Sequence, residues 1–288
     1  MAEAKLSQLK SLPSLPEVAV RLLELIGDPS SSVSDLNKVM SKDPVLTATT
    51  LRIVNSSYHG LRHKVTALSH ALTLLGFRTV KNIILTAAAS GIFRKARPSP
   101  CFNPYAFMRH SVASAAVCRF LGNYSQSVDP ETAFSVGLLE DIGKLVLNEC
   151  FPEDYQKAVK LAKEKGVEVH VAERALWEFD HGTLGAMMGG HWKLPPSLCE
   201  AILHHHDLAG AADKGIAAIC LLSNYICAIK KVPTADGVET AELSQEAWKP
   251  LKIDPAVLSL MLASIDPEME EAEDLYNLVS AEGVAAAT

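Results

Sequence analysis

Long apolar runs, a basic excess, paired cysteine motifs, low-complexity tracts and internal repeats are all lacking in this chain of 288 residues. Each absence excludes something. The most apolar late run, Gly215 to Ile229, is about 15 residues long and carries Ser223 and Asn224, whereas a membrane span needs about 20. The stretch from Met1 to Ser7 has no apolar h-region, so a secretory signal is not expected either. A formal net charge of -6 argues against a general nucleic-acid-binding surface. Lys5, Lys10 and the basic run from Arg94 to Arg97 have no aromatic stacking platform beside them, and the expectation is that they are solvated. The six cysteines (Cys101, Cys118, Cys150, Cys199, Cys220, Cys227) contain no Cys-x-x-Cys pair. Cys220 and Cys227 share a helix face, but seven residues of helix separate them by roughly 10 Å, too far for a disulfide. Buried, reduced thiols in a cytoplasmic protein without membrane or nucleic-acid partners are therefore expected.

What is present is a chain that can fold. The hydrophobic fraction is 48% and the charged fraction 21%, and a chain of this length buries roughly three quarters of its unfolded surface. Ser14 to Glu17 has the spacing of a capping box, with Val18, Leu22, Leu25 and Ile26 at helical intervals behind it. Asp43-Pro44, Asp129-Pro130, Asp254-Pro255 and Asp266-Pro267 each place an N-cap before a proline that tolerates the first helical position. Apolar periodicity predicts helices over 43–55, 77–93, 105–121, 130–148, 153–165, 171–178, 182–191, 196–206 and 214–230, with a further set over 243–279. The alternating stretch Val167 to Val171 has the pattern of a short strand but no partner elsewhere, so an all-α protein is the expectation. Three segments follow: 1–100 as an N-terminal helical subdomain, 101–240 as a helical core, and 241–288 as C-terminal helices ending in a disordered tail. The basic and proline-rich run 94–104 marks the first boundary.

The chemistry centres on Gly137-Leu138-Leu139-Glu140-Asp141-Ile142-Gly143-Lys144-Leu145, where two carboxylates and a lysine stand in an otherwise apolar segment. Buried charge is costly unless paired or metal-bound. Glu140 and Lys144 have the spacing of a helical ion pair. The alternative is a divalent-metal site. Seven of the ten histidines fall from His110 to His206: His110 precedes the carboxylate pair, His181 opens an apolar helix after Asp180, and His204-His205-His206 closes another. Successive helix positions differ by about 100°, so one or two of the last three can face a single point. Such imidazoles and carboxylates form a ligand set suited to zinc, manganese or iron, and to phosphoester hydrolysis. Trp192, Met187 and Met188 read as core packing, and the acidic run Glu268 to Glu273 as a helix start that favours the positive end of the helix dipole without needing a partner.

The stretches Leu12 to Val18, Lys42 to Thr47, Leu51 to Ser56 and Ala71 to Gly76, together with Gly137 to Leu145, His181 to Gly185, Trp192 to Pro195 and His205-His206, resemble the HDOD family. That family is a bacterial branch of the HD superfamily of metal-dependent phosphohydrolases. The resemblance implies an HD-like multi-helix bundle with an N-terminal helical subdomain. It also implies metal-ligand positions at His110, Glu140, Asp141, His181, His205, His206 and Asn224. Two of these depart from the catalytic pattern, since Glu140 stands where a histidine binds metal and Asn224 where the last aspartate is expected. An amide is a poor ligand for zinc-like ions. The implied protein is a signal-transduction module without turnover that acts through signalling proteins, with no resident cofactor, or with a divalent zinc, manganese or iron ion if the site is retained. The alternatives are a residual phosphohydrolase using Asp141 and Lys144, and a metal or metabolite sensor.

Overall fold

In this computed structural model, residues 13–280 are described apart from 29, 41, 57, 58, 126 and 239–244. Lys5, Lys10 and the tail beyond 280 lie outside the described residues. Asp43, Asp129 and Asp254 act as the sequence predicts, accepting backbone N–H bonds from Leu46, Thr132 and Ala256. Asn103, Asp180 and Asp213 cap three further helices in the same manner.

The helices in order are α1 Glu17–Gly27, α2 Val33–Met40, α3 Pro44–Val54, α4 Leu68–Phe93, α5 Pro104–Tyr124, α6 Pro130–Leu139, α7 Ile142–Cys150 and α8 Pro152–Lys165. They continue as α9 Val169–Trp177, α10 His181–His191, α11 Pro196–Leu203, α12 Lys214–Ile229, α13 Trp248–Leu251, α14 Leu258–Ser264 and α15 Asp266–Ser280. Among the described residues there is no strand, only an isolated bridge between Ser99 and Phe102. The α5 helix is central. It packs on α6, α12 and α15, while α10 lies against α7 and α11. Helices α1 and α3 pack on α4, and the buried apolar side chains form one cluster that runs from Leu15 to Val279. The α4 helix is long and apolar enough to cross a membrane by length and composition, yet 56% of its apolar window is buried.

Several local expectations are corrected. Pro16, not Ser14, is the N-cap of α1, and no side chain caps it, so the capping box does not form. Asp266 is the first residue of α15 rather than its cap, and its carboxylate pairs with Lys230. The helix expected from 77 begins at Leu68 and turns at Gly76, whose φ of 77° lies in the left-handed region that glycine adopts without strain. Val169, in the alternating stretch, starts α9. The basic run stays largely solvated, with the Arg97 side chain 73% exposed, and is also anchored: Arg97 pairs with Glu149 at 2.8 Å, and Arg94 donates to the Val279 carbonyl. Glu273 in the acidic run accepts from Arg109 at 2.7 Å, which ties α15 to α5. Trp192 and Met188 are buried, and the indole N–H of Trp192 donates to the Pro13 carbonyl, whereas Met187 is 39% exposed.

Candidate metal centre

The two carboxylates do not act together. The expected helix 130–148 breaks at Glu140-Asp141, where α6 ends at Leu139 and Asp141 (φ -90°, ψ 3°) becomes the N-cap of α7. After the break the Lys144 N–H bonds the Asp141 carbonyl rather than that of Glu140, so the register an i,i+4 pair needs is lost. Lys144 therefore does not pair with Glu140. Its ammonium lies 3.0 Å from Asp141 Oδ2 and 3.3 Å from Asp236 Oδ2, with all three side chains buried. Glu140 instead accepts from the Ser114 hydroxyl at 2.6 Å and lies beside the thiols of Cys118 and Cys220. Burial, followed by the charges of Cys118 and Asp141, holds its carboxyl well above the usual range.

On the other side of the break, four side chains converge. Asp141, His181, His205 and His206 each offer one donor atom, all within 4.8 Å of one another. His181 Nε2 lies 3.2 Å from Asp141 Oδ1, 3.2 Å from His205 Nε2 and 3.0 Å from His206 Nε2. The α10 helix begins at His181, fixed by the Asp180 cap and by a hydrogen bond from its own N–H to Glu173. Two of the last three histidines face the centre, within the one or two that helix geometry allows, and α11 stops at Leu203, three residues short of the expected end. In the turn that follows, His205 and His206 face the centre together, and His204 turns toward Asp207 at 3.6 Å.

Hydrogen bonds behind the rings decide which nitrogens face inward. A carboxylate and a carbonyl can only accept, so Nδ1 of His181 donates to Glu173 at 2.7 Å and Nδ1 of His205 donates to the Ile202 carbonyl at 2.7 Å. Both Nε2 atoms then point at the same small space. Neutral nitrogen lone pairs repel at such separations unless a cation, either a proton or a metal ion, stands among them. The proton's place is His181. Burial would lower its pKa, but Glu173 and Asp141 outweigh that and carry it up to about 10. Burial and the charge on His181 push His205 down to about 4, and burial with the neighbouring histidines holds His206 well below its ordinary value. Burial would raise Asp141, yet Lys144 and His181 hold it well below the carboxylate range.

The donor set of three imidazole nitrogens and one carboxylate fits a four-coordinate divalent ion, and Glu173 supplies the carboxylate that orients a metal-binding histidine. His110 and Asn224 stand further out. His110 Nε2 is 4.0 Å from Asp141 Oδ2, and both residues line the same pocket with Lys144, Glu168, His170 and Asp236. His170 stacks on His206 with ring centroids 3.9 Å apart and lies 3.1 Å from Glu168. Glu173, Glu168, His170 and Asp236 were not singled out from the sequence. No local spacing marks Glu173 as the partner of His181, and Asp236 reads as an ordinary Asp-Gly turn residue.

The cap carries a prediction. Asp180 accepts from Thr183 N at 3.0 Å and from Arg174 at 2.7 Å. Burial opposes ionisation, but the charge on His181, the Thr183 bond and Arg174 bring the pKa down from 3.8 to about 2. A folded-state pKa below the unfolded one contributes stability that is complete above the unfolded value and is lost as pH falls through the folded one. Asparagine also caps helices. Asp180→Asn should therefore keep the cap yet flatten the stability profile between pH 4 and pH 2 in urea titrations. An unchanged profile would show that the Asp180 charge makes no contribution.

An all-helical bundle that gathers buried histidines and an aspartate at a helix break defines an HD-like protein. The chain belongs to the HDOD domain family, whose pattern matches residues 12–208. An uncharacterised protein of Treponema pallidum (strain Nichols) is 22% identical over 214 residues, which is 74% of this chain and 41% of that protein. Among solved structures, an HDOD domain protein of unknown function from Geobacter sulfurreducens superposes with a TM-score of 0.79 at 21% identity, covering 96% of each chain. A candidate phosphohydrolase from Shewanella amazonensis SB2B gives 0.73 at 24% identity over 95% of this chain and 98% of that one. A candidate signal transduction protein from Marinobacter aquaeolei VT8 gives 0.75 at 21% identity, covering 93% of this chain and 60% of that one. These likenesses establish the fold.

Proposed function

We propose that this protein is a regulatory module of the HDOD type that holds one divalent ion at Asp141, His181, His205 and His206 and acts on signalling proteins by contact, without turnover. The observation that carries this reading is the small volume of the pocket. Its cavity is about 60 Å³, and Lys144 is clamped across its wall between Asp141 and Asp236. That space accommodates an ion with a water or two, whereas ligand pockets for larger molecules run to roughly 300 Å³ or more. A divalent ion there would polarise a bound water or oxyanion. Around it the chain's own groups divide the work: Glu173 and the Ile202 carbonyl orient the rings, Lys144 neutralises the outer oxygen of Asp141, and the surrounding apolar helices exclude bulk water.

The protonation pattern makes this testable. At neutral pH His205 and His206 are already neutral, while His181 carries the proton that a metal must displace. Zinc binding should release about one proton per ion and weaken as the pH falls. Calorimetry in buffers of different ionisation enthalpy measures the release, and none at all would remove His181 from the ligand set. Metal content by mass spectrometry, on protein purified without chelator or affinity nickel, belongs beside phosphodiesterase and phosphatase assays with added manganese. Metal without turnover is the expected outcome. Turnover lost in Asp141→Ala would replace this reading with that of a phosphohydrolase, the alternative that the metal-fitting donor set favours.

A further inference from the structure

We propose that Cys118, Cys220 and Glu140 form a second, closed seat for a thiophilic divalent ion of the zinc class, separate from the histidine centre. The three residues come from α5, the end of α6 and α12, and one donor atom of each lies within 4.8 Å of the other two. Both cysteines are inaccessible to solvent and Glu140 is 1% exposed. Ser114 satisfies Oε1 of Glu140, but Oε2 has no hydrogen-bond partner. The Ser114 bond leaves the other oxygen of this buried carboxyl group without a partner, and an unsatisfied buried polar atom carries a desolvation cost. A cation removes that cost.

The donor chemistry is specific. Two sulfurs and one carboxylate oxygen suit zinc and related borderline ions and are a poor match for magnesium or calcium. Zinc–sulfur bonds of about 2.3 Å and zinc–oxygen bonds of about 2.1 Å place tetrahedral ligand atoms roughly 3.5 to 3.8 Å apart, so slight inward rotations from the observed spacing suffice. With both sulfurs bound as thiolates, three negative charges surround two positive ones. The Ser114 hydroxyl, which donates to Glu140, also lies 3.9 Å from Cys118 Sγ and 3.1 Å from the Ser223 hydroxyl. Gly137 makes the room. A Cβ there would lie 2.8 Å from Cys118 Sγ and 2.8 Å from the Ser114 carbonyl oxygen. Glu140 thus has its own ligand set at the position where the resemblance leads one to look for a histidine of the other centre.

The test is made on the full-length chain, expressed in zinc-supplemented or cobalt-supplemented minimal medium and purified under reducing conditions. X-ray absorption at the zinc edge should show sulfur in the first shell of the wild-type protein. The cobalt form should show thiolate-to-cobalt charge-transfer absorption in the near ultraviolet. Asp141→Ala should leave that band in place, because Asp141 belongs to the histidine centre and offers no donor atom to this one. Glu140→Gln, which keeps an acceptor for Ser114, should weaken the band, and Cys118→Ser with Cys220→Ser should abolish it. Should the double variant fail to fold, the wild-type absorption edge decides alone. A first shell of nitrogen and oxygen only, or a band that persists in the folded double variant, overturns the proposal.

Discussion

Lys144→Met is expected to cost about 3–5 kcal/mol of folding stability in chelator-treated protein, the range for removing one partner of a buried ion pair. Lys144 is 8% exposed, and the carboxylates it bridges, Asp141 and Asp236, are 7% and 3% exposed. Burial disfavours its charge, but Asp141 and then Asp236 outweigh this and hold the ammonium above its ordinary pKa. Methionine fills much of the same space without the charge, so the loss measures the two carboxylates left facing each other across the pocket. The outcome depends on metal. An ion bound at Asp141 would neutralise that carboxylate, and saturating zinc should recover a large part of the loss. Urea denaturation of wild type and variant, each with chelator and with zinc, checks both statements. A loss below about 1 kcal/mol with chelator would mean that the pair behaves as an exposed one.

Gly143→Ala should be as damaging for a different reason. The α7 helix crosses α10 so closely that a Cβ on Gly143 would run into the carbonyl oxygen of His181 and meet Gly185 N at 2.8 Å. Across the same contact, a Cβ on Gly185 would meet Ile202 Cγ2 at 2.8 Å, so neither helix can yield without disturbing α11. Overpacking a core commonly costs 1–3 kcal/mol, and a clash with backbone belongs at the upper end, roughly 3 kcal/mol. The displaced carbonyl belongs to His181, a residue of the proposed metal site. The variant should therefore lose zinc affinity as well as stability, with the melting temperature and calorimetric affinity falling together. A folded variant with unchanged affinity would show that the crossing does not position His181.

The two glycines also show how much of the site the sequence carries. Gly143 and Gly185 sit in the runs that single out Asp141 and His181, and their local spacing places those residues at two helix starts. The Asp-Pro caps at 43 and 129 were legible for a similar reason, since a cap involves residues three apart. Helix ends were less legible. Nothing in the apolar periodicity of 130–148 marks a break at Glu140, because both flanking segments are buried on all sides and the pattern continues through the turn. Nor does the periodicity of 196–206 mark the stop after Leu203, beyond which two adjacent histidines face one point.

What the sequence by itself determined is the helical class, the family and several short-range caps, and it marked Asp141, His181, His205 and His206 as candidate ligand positions by resemblance. These rest on neighbours within one or two turns, which periodicity and motif can register. Only the tertiary structure decided the partners. Glu140 went to Ser114 and two thiols, Lys144 to Asp141 and Asp236, and His181 to Glu173. Each choice follows from a helix break or a helix crossing that sets where a charged side chain can escape burial, and such geometry belongs to the packed molecule rather than to any local stretch of its chain.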